Sequence, residues 1–258
     1  MTKLRFGTGL LGAMLVGLVV GNAQQGGGAA TAVAPVVSPE VAAMQEKLQD
    51  WPNLARYREE NAALPAPRAG EKRVVFLGDS LTDSWGRREG SFFPGKPYVN
   101  RGISGQTTPQ MVLRFQQDVV RLKPAVVVIL AGTNDLANNT GPISDEAIED
   151  NFRAMVAMAK VAHIRVVLSS ILPADRFPWH PGIAPADRIG TLNTWLEAYA
   201  AAEKLGYLNY FPALVNTTRG MREELAVDKA VHPNAAGYAL MMPLAEAAIA
   251  KSLSMKAP

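Results

Sequence analysis

A serine between an apolar run and the start of a helix is the first candidate for chemistry in this chain. Residues 74–77 predict a buried strand, and the residues after Gly78 are typical of a helix start. Ser80 is therefore expected at the carboxyl end of a strand, where open α/β sheets bind ligands. Unpaired N–H groups of a first helical turn can stabilise a developing anion there. Asp79 and Ser80 are also ordinary N-cap residues, so the turn alone leaves a purely structural role open.

A serine hydroxyl is a weak nucleophile and needs a base within hydrogen-bond reach. The chain has three histidines. His163 lies between a predicted helix and a predicted strand, where solvation of the helix end accounts for it. His180 lies in a proline-rich loop and either rims a pocket or is simply exposed. His232 precedes Pro233-Asn234 and the predicted final helix, so its loop is stiff and its imidazole can be aimed.

Four blocks in a fixed order give the sequence a resemblance to a known family. Gly78-Asp79-Ser80-Leu81 resembles the signature of the GDSL, or SGNH, hydrolases, and residues 100–105, 132–135 and 228–234 resemble the later family blocks. The resemblance covers the chain except for about the first 70 residues. It implies a flavodoxin-like three-layer fold and a serine esterase that needs no metal and no other cofactor.

The resemblance also implies roles for individual residues. Ser80 would be the nucleophile and His232 the base, and the oxyanion hole would combine the backbone N–H groups of Ser80 and Gly105 with the side-chain amide of Asn134. Gly105 follows a strand at a point where the backbone must approach the substrate, and Asn134 follows a predicted strand. Taken singly, Gly105 is equally a turn glycine and Asn134 a turn-forming residue. Asp135 is expected to be a structural turn or cap residue.

The third member of the triad departs from the family spacing. The family has an aspartate three residues before its histidine, whereas here that position is Lys229 and Asp228 stands four residues before His232. We expect a local bulge to absorb the extra residue, so that Asp228 still pairs with His232. Glu223 and Glu224 are expected in a helical turn further from the imidazole. A dyad of Ser80 and His232 stays open as the alternative.

Strand-like and helical segments alternate along the chain. Short apolar runs predict strands at residues 74–77, 98–100, 125–130, 166–172 and 207–210. Helical spacing predicts helices at residues 109–122, 145–162, 186–205 and 235–253. The alternation predicts an α/β fold with a mostly five-stranded parallel sheet covered by helices on both faces, in agreement with the flavodoxin-like fold that the resemblance implies. We expect residues 71–258 to form the hydrolase domain.

The residues before that domain have a different pattern. An apolar stripe with spacings of mostly three or four predicts a helix that is interrupted near Trp51, and it consists of Val41, Met44, Leu48, Trp51 and Leu54. We expect the aromatic side chains here to pack rather than to contact substrate. Residues 40–70 are thus predicted to be an N-terminal helical segment and a connector.

The start of the chain predicts export. Lys3 and Arg5 precede an apolar segment and small residues, so residues 1–23 are predicted to be a signal peptide cleaved near Ala23 and residues 24–39 a flexible leader. A retained membrane anchor is the alternative, although the apolar segment is shorter than the roughly 20 residues of a spanning helix. We therefore expect a periplasmic or secreted protein with no stable membrane span after processing.

Composition limits the classes of partner. Removing the predicted signal peptide takes away two of the 26 basic residues and none of the 23 acidic ones, so the net charge falls from +3 to about +1. No basic block remains to suggest nucleic acid. The absence of cysteine excludes disulfides, a cysteine-linked lipid and a thiolate nucleophile.

Together these features predict an exported serine esterase that acts on a small-molecule or carbohydrate ester. Short acyl groups, such as acetyl esters of carbohydrates, are favoured because the sequence has no long apolar lid for a lipid tail. Arylesterase, lysophospholipase and thioesterase activities remain open, as does a non-catalytic carbohydrate-binding module on the same fold. A flavin or nucleotide binder is disfavoured because the first strand–helix turn lacks a glycine-rich phosphate loop.

Overall fold

The computed structural model describes residues 38–255, and a five-stranded parallel sheet forms the centre of that part of the chain. The strands are β1 at Val74–Gly78, β2 at Tyr98–Gly102, β3 at Val126–Leu130, β4 at Arg165–Ser169 and β5 at Gly206–Leu208. Their order is β2-β1-β3-β4-β5, and every pair is parallel. All residues of β1 and β3 are buried, as expected for strands covered on both faces. The predicted α/β fold with a parallel sheet is confirmed.

Helices cover this sheet on both sides. The described helices are α1 at Pro39–Gln49, α2 at Arg58–Ala63, α3 at Ser80–Asp83, α4 at Thr108–Asp118, α5 at Thr133–Leu136, α6 at Asp145–Val161, α7 at Ala186–Ala202, α8 at Phe211–Leu214 and α9 at Ala235–Ser254. Helices α7 and α9 both pack against β4 and β5, but α7 also packs against α6 whereas α9 packs against α8. The two helices therefore lie on opposite faces. Of the helices described, none is both long enough and apolar enough to span a membrane.

The fourth strand is shorter than the sequence predicts. A strand at residues 166–172 was the expectation, but β4 ends at Ser169. Beyond it, the amide of Asn193 on α7 replaces a neighbouring strand, because its Oδ1 accepts from the backbone N–H of Ile171 at 2.7 Å and its Nδ2 donates to the Ile171 carbonyl at 3.0 Å. A side chain distant in sequence thus ends the strand, and apolar periodicity carries no sign of it.

The apolar stripe of the N-terminal segment is mostly exposed, and the expectation that aromatic side chains here pack is wrong for Trp51, which is 40% exposed. Met44 is 68% exposed and Leu48 is 78% exposed. Helical spacing reveals a common face but does not say what covers it. Tyr57, in contrast, is fully buried and packs as expected of an aromatic side chain in this segment.

Tyr57 joins the N-terminal segment to the sheet. Its hydroxyl donates to the carbonyl of Gly102 at the end of β2. The guanidinium groups of Arg56, Arg87 and Arg101 lie 4.7, 5.3 and 4.6 Å from the centre of its ring, within the range of cation–π interaction. The segment therefore has a firm anchor beside the carboxyl ends of β1 and β2.

Three glutamines fasten the same segment to α4 and the loop before it. Gln106 donates to the Pro52 carbonyl at 2.6 Å, Gln110 to the Trp51 carbonyl at 2.7 Å and Gln117 to the Leu54 carbonyl at 2.8 Å.

The predicted signal peptide at residues 1–23, and all but the end of the predicted leader at residues 24–39, lie outside the described residues. The proposed division into segments therefore stays a prediction.

Candidate active site

The turn that carries Ser80 is tightly packed. Strand β1 ends at Gly78, where an added Cβ would lie 2.1 Å from Thr82 Oγ1 and 2.7 Å from the Leu130 carbonyl oxygen. Only glycine fits this close approach of β1, α3 and β3. Asp79 then caps α3, since its Oδ1 accepts from the backbone N–H of Leu81 at 2.9 Å. Ser80 is thereby fixed as the first residue of a helix at the carboxyl edge of the sheet.

The structure brings Ser80 to a histidine and an aspartate that lie about 150 residues later in the sequence. Ser80 Oγ is 3.0 Å from His232 Nε2, and His232 Nδ1 is 2.6 Å from Asp228 Oδ2. The imidazole therefore bridges a hydroxyl and a carboxylate through its two nitrogens. In this arrangement, the carboxylate fixes the tautomer that leaves Nε2 free to accept the serine proton.

The unusual spacing of Asp228 is absorbed within its own loop. Lys229 adopts a left-handed conformation with φ of 55°, and the chain curls around the carboxylate. Asp228 Oδ1 accepts from the backbone N–H groups of Ala230, Val231 and His232 at 3.1, 2.8 and 3.0 Å. The loop thus takes the bulged shape expected from the sequence. The other carboxylate oxygen of Asp228, Oδ2, remains directed at the imidazole of His232.

These contacts set the protonation state of Asp228. Burial by itself would raise the pKa of the carboxyl group. The hydrogen bonds from the His232 ring and from the backbone of Val231 and His232 outweigh burial and hold the pKa of Asp228 well below its usual range. Asp228 is therefore an anion at neutral pH and can stabilise a protonated imidazole.

Both ends of this loop are also held. The Val227 N–H donates to the His232 carbonyl at 2.9 Å, and the Asn234 N–H donates to the Leu225 carbonyl at 2.8 Å. Asn234 caps α9, with its side chain accepting from the first turn. Glu223 and Glu224 lie in a 3₁₀ turn at Glu223–Leu225, as expected. The carboxylate that contacts the His232 ring is that of Asp228.

Three N–H donors of the predicted oxyanion hole are available. Within residues 38–255, the backbone N–H groups of Ser80 and Gly105 have no hydrogen-bond acceptor. The Asn134 amide donates one N–H to the Gln106 carbonyl at 3.0 Å, which leaves its second N–H for another acceptor. Gly105 has φ of 82° and an added Cβ there would meet no atom within 4 Å. The backbone conformation therefore favours glycine at this position, and the expected close approach of the backbone to the substrate stays a prediction.

Two residues that the sequence analysis missed hold the Asn134 amide in place. Asn139 Nδ2 donates to Asn134 Oδ1 at 2.8 Å, and Trp179 Nε1 donates to Asn139 Oδ1 at 3.0 Å. The Trp179 ring also lies 5.6 Å from the His232 ring, centre to centre. Trp179 therefore contacts both sides of the site. A tryptophan beside His180 in a loop was the only signal in the sequence.

A buried arginine supports the loop that carries Gly105. Arg114 on α4 is fully buried and donates to the carbonyls of Gly78 and Arg101, each at 2.8 Å. It also donates to Gln106 Oε1 at 2.5 Å and forms an ion pair with Asp118 at 3.2 Å. One guanidinium thus ties together the ends of β1 and β2 and the loop after β2. Its five donors suit such a junction.

Two further carboxyl groups near the site have pKa values that are shifted upward. Burial raises the pKa of Asp79 to about 7, and its Oδ2 has no hydrogen-bond partner among the described residues. Burial also raises the pKa of Asp135 to about 6. Asp135 accepts from the backbone N–H and the hydroxyl of Thr108, which places it at the start of α4 in the structural role expected of it.

The other two histidines are placed differently. His163 follows the end of α6 with φ of 56° and is not part of the group around Ser80. His180 is exposed and lines a cleft beside Gly105, so it does rim a pocket.

Comparisons with known proteins agree with this geometry. Residues 76–240 match the model of the GDSL-like Lipase/Acylhydrolase family. The structure of a GDSL-like lipase from Bacteroides thetaiotaomicron is 44% identical, with a TM-score of 0.74 over 78% of this chain and 98% of that chain. A candidate acylhydrolase from Bacteroides fragilis is 42% identical, with a TM-score of 0.76 over 79% of this chain and 98% of that chain.

A curated relative gives a more specific likeness over a shorter span. An acetylxylan esterase from Geobacillus stearothermophilus is 36% identical over 91 residues. The match covers 26% of this chain and 41% of that enzyme.

Proposed function

The chain belongs to the GDSL-like lipase/acylhydrolase family and hydrolyses ester bonds, and from this premise we propose that Ser80 is its nucleophile. The observation that carries the proposal is the contact of His232 with Ser80 Oγ at 3.0 Å and with Asp228 at 2.6 Å. Ser80 attacks the ester carbonyl while His232 Nε2 accepts the serine proton. The anionic Asp228 stabilises the imidazolium that forms.

The tetrahedral intermediate needs donors that are in place before reaction. The backbone N–H groups of Ser80 and Gly105 and the second N–H of Asn134 supply them in this proposal. When the intermediate collapses, His232 returns its proton to the leaving alcohol and the acyl group remains on Ser80. Water, deprotonated by His232, then attacks the acyl-enzyme and releases the acid.

The substrate class proposed is a short acyl ester, with acetyl esters of carbohydrates as the leading case. The acetylxylan esterase relative supports this choice, although the match spans less than half of that enzyme. The sequence of the predicted hydrolase domain also has no long apolar lid that would cover a lipid tail. Hydrolysis rates for esters with acyl chains of two to sixteen carbons test this proposal, which requires the rate to fall steadily with chain length.

Labelling with a fluorophosphonate tests the nucleophile directly, because only an activated serine reacts. The wild-type chain is expected to be labelled, whereas Ser80→Ala is expected to lose both label and ester turnover with little change in its thermal midpoint. Ser104→Ala is the matched control, because Ser104 is an exposed neighbouring serine that donates to Asp83. An unlabelled wild-type chain would point instead to a non-catalytic carbohydrate-binding module.

We further propose that the protein is exported and that its mature chain begins at Gln24. The support is the charged start, the apolar segment and the small residues before that position. Mass spectrometry of the exported protein checks the new N-terminus. A chain that keeps residues 1–23 and remains with the membrane would show a retained anchor.

A further inference from the structure

A cleft of about 710 Å³ opens beside the proposed oxyanion hole. Its walls come from separate parts of the chain and include Asp50, Trp51, Asn53, Gly105, Asn139 and His180. We call it the Trp51 cleft. One wall belongs to the N-terminal segment, which precedes the family-matched residues 76–240. The opposite wall includes Gly105, one of the proposed oxyanion donors.

The wall with Trp51 is fixed relative to the reacting groups. Gln106 is buried, and its carbonyl accepts from Asn134 while its side chain donates to the Pro52 carbonyl at 2.6 Å. Gln110 donates to the carbonyl of Trp51 itself at 2.7 Å. A single residue thus connects the oxyanion amide to the segment with the tryptophan. The backbone that carries the Trp51 side chain is therefore held in place before any ligand binds.

The lining combines one flat apolar surface with several polar groups. Trp51 is 40% exposed, so part of its indole is free for contact. Within residues 38–255, the side chains of Asn53 and His180 have no hydrogen-bond partner, and the Asp50 carboxylate accepts from the backbone N–H groups of Leu54 and Ala55 with lone pairs remaining. Donors, acceptors and an exposed aromatic ring therefore occupy one cleft.

This chemistry suits a carbohydrate better than an acyl chain. A sugar ring has an apolar C–H face that packs on an indole and hydroxyl groups that bond to carboxylate, amide and imidazole. A hydrocarbon chain in the same cleft would remove those polar groups from water without replacing their hydrogen bonds, which is costly. Ligand sites in proteins commonly combine an apolar or aromatic surface with a few polar groups that fix the orientation of the ligand.

We infer that the Trp51 cleft binds the carbohydrate alcohol of the ester substrate and that Trp51 determines this specificity. The inference rests on the proposed esterase function and names the part of the substrate that lies beyond the reacting ester. It gives the N-terminal segment, which carries none of the family motifs, a direct role in substrate choice.

Trp51→Ala tests the inference through a ratio of two substrates. The ratio is kcat/KM for an acetylated xylooligosaccharide over kcat/KM for 4-nitrophenyl acetate, which has no saccharide. We expect the ratio to fall about tenfold in Trp51→Ala, mainly through KM, a loss of about 1.4 kcal/mol. Trp51→Phe should retain part of the preference. A ratio within about twofold of the parent in Trp51→Ala would overturn the inference.

Leu48→Ala is the matched control, because Leu48 is an exposed apolar residue of the same segment outside the cleft. Its ratio should equal that of the parent. Circular dichroism and the thermal midpoint check that each variant is folded.

Direct binding separates this inference from the esterase proposal. Titration calorimetry of an unacetylated xylooligosaccharide into full-length Ser80→Ala should show binding, and adding Trp51→Ala should weaken it about tenfold. Saccharide binding that Trp51→Ala leaves intact, or no binding at all, would overturn the inference. Failure of the esterase proposal would look different, since neither ester would be hydrolysed and no fluorophosphonate would bind, while the calorimetric result would still decide the role of the cleft.

Discussion

The base side and the oxyanion side of the site are supported in different ways. His232 is held by its own short loop, in which Asp228 contacts both the ring and the backbone. Asn134 is held instead by Asn139, which in turn accepts from Trp179 in a separate loop. The base side is complete within one stretch of five residues, whereas the oxyanion side also depends on Trp179, which lies 40 residues beyond Asn139.

The difference predicts how each half responds to change. Disrupting the local loop should affect one interaction strongly and leave the fold intact. Disrupting the network around Asn134 should give graded effects, because the donor is displaced rather than removed. Substitutions of residues within one hydrogen-bond network are also expected to have non-additive effects.

The largest effect should come from the local side. Asp228→Asn keeps an oxygen for the three backbone N–H groups but removes the charge that stabilises imidazolium, so kcat should fall by up to about 10⁴. The thermal midpoint should change little, because the backbone contacts survive. Steady-state kinetics measure the loss. Activity within about threefold of the parent would show that Ser80 and His232 work as a dyad.

Removal of the oxyanion donor should rank second. Asn134→Ala should lower kcat by roughly 10²–10³, with a smaller change in KM, because the missing hydrogen bond forms fully only as negative charge develops. The same ester assay gives both constants. A change confined to KM would make Asn134 a substrate-positioning residue.

Displacing that donor should cost less than removing it. Asn139→Ala frees the Asn134 amide to rotate, and kcat should fall by up to about 10², the cost of a misplacement of about 1 Å. Trp179→Phe, which removes the N–H donated to Asn139 together with part of the ring, should show a smaller loss in the same direction.

A double-mutant cycle decides whether Asn139 acts through Asn134. Asn134→Ala combined with Asn139→Ala should be no slower than Asn134→Ala alone, because the second change then has no donor to misplace. Trp195→Phe is the control, since Trp195 stacks on Tyr199 away from the site. Fully additive losses would separate Asn139 from the oxyanion donor.

The smallest effect on turnover is expected at the buried neighbour of the nucleophile. The pKa of Asp79 is raised to about 7 by burial, so the folded state binds its proton more tightly than the unfolded state does. Stability should therefore decline as the pH rises from about 4 to about 7. Asp79→Asn keeps the cap on α3 and removes the part of this slope that Asp79 contributes, while Asp135, with its pKa raised to about 6, still contributes below that pH. Urea unfolding at pH 5 and pH 8 measures it, and an unchanged slope would contradict the assignment.

Asp228 should show the opposite trend, because its pKa is lowered in the folded state. Its contribution to stability is present above its unfolded pKa of about 3.9 and is lost as the pH falls below that value. The two carboxylates on either side of the nucleophile thus have opposite pH dependence.

Much of the fold could be predicted because its signals are short in range. The apolar runs of β1 and β3, the periodic helix α6 and the long apolar helix α9 stand out in the sequence. The contact of Asp228 with His232 could also be predicted from residues 228–232 alone.

The parts that could not be predicted depend on long-range contacts. Asn139 follows another asparagine and looks like any turn, and only the folded chain places it between Asn134 and Trp179. Likewise, the premature end of β4 depends on Asn193, which lies on a later helix. A periodic pattern identifies a face of a helix, but the partner of that face lies elsewhere in the chain.

Tyr57 has a consequence for how this hydrolase can be divided. Its ring lies among three guanidinium groups and its hydroxyl satisfies a carbonyl at the end of β2. A cut just before the motif-bearing region would leave that carbonyl without its donor and the guanidinium groups of Arg87 and Arg101 without the ring that they contact. The smallest part of the chain that can be moved into another protein is therefore larger than the segment that carries the motifs. Fusions, circular permutants and chimeras of this protein must keep Tyr57 together with the sheet whose strand β2 it contacts.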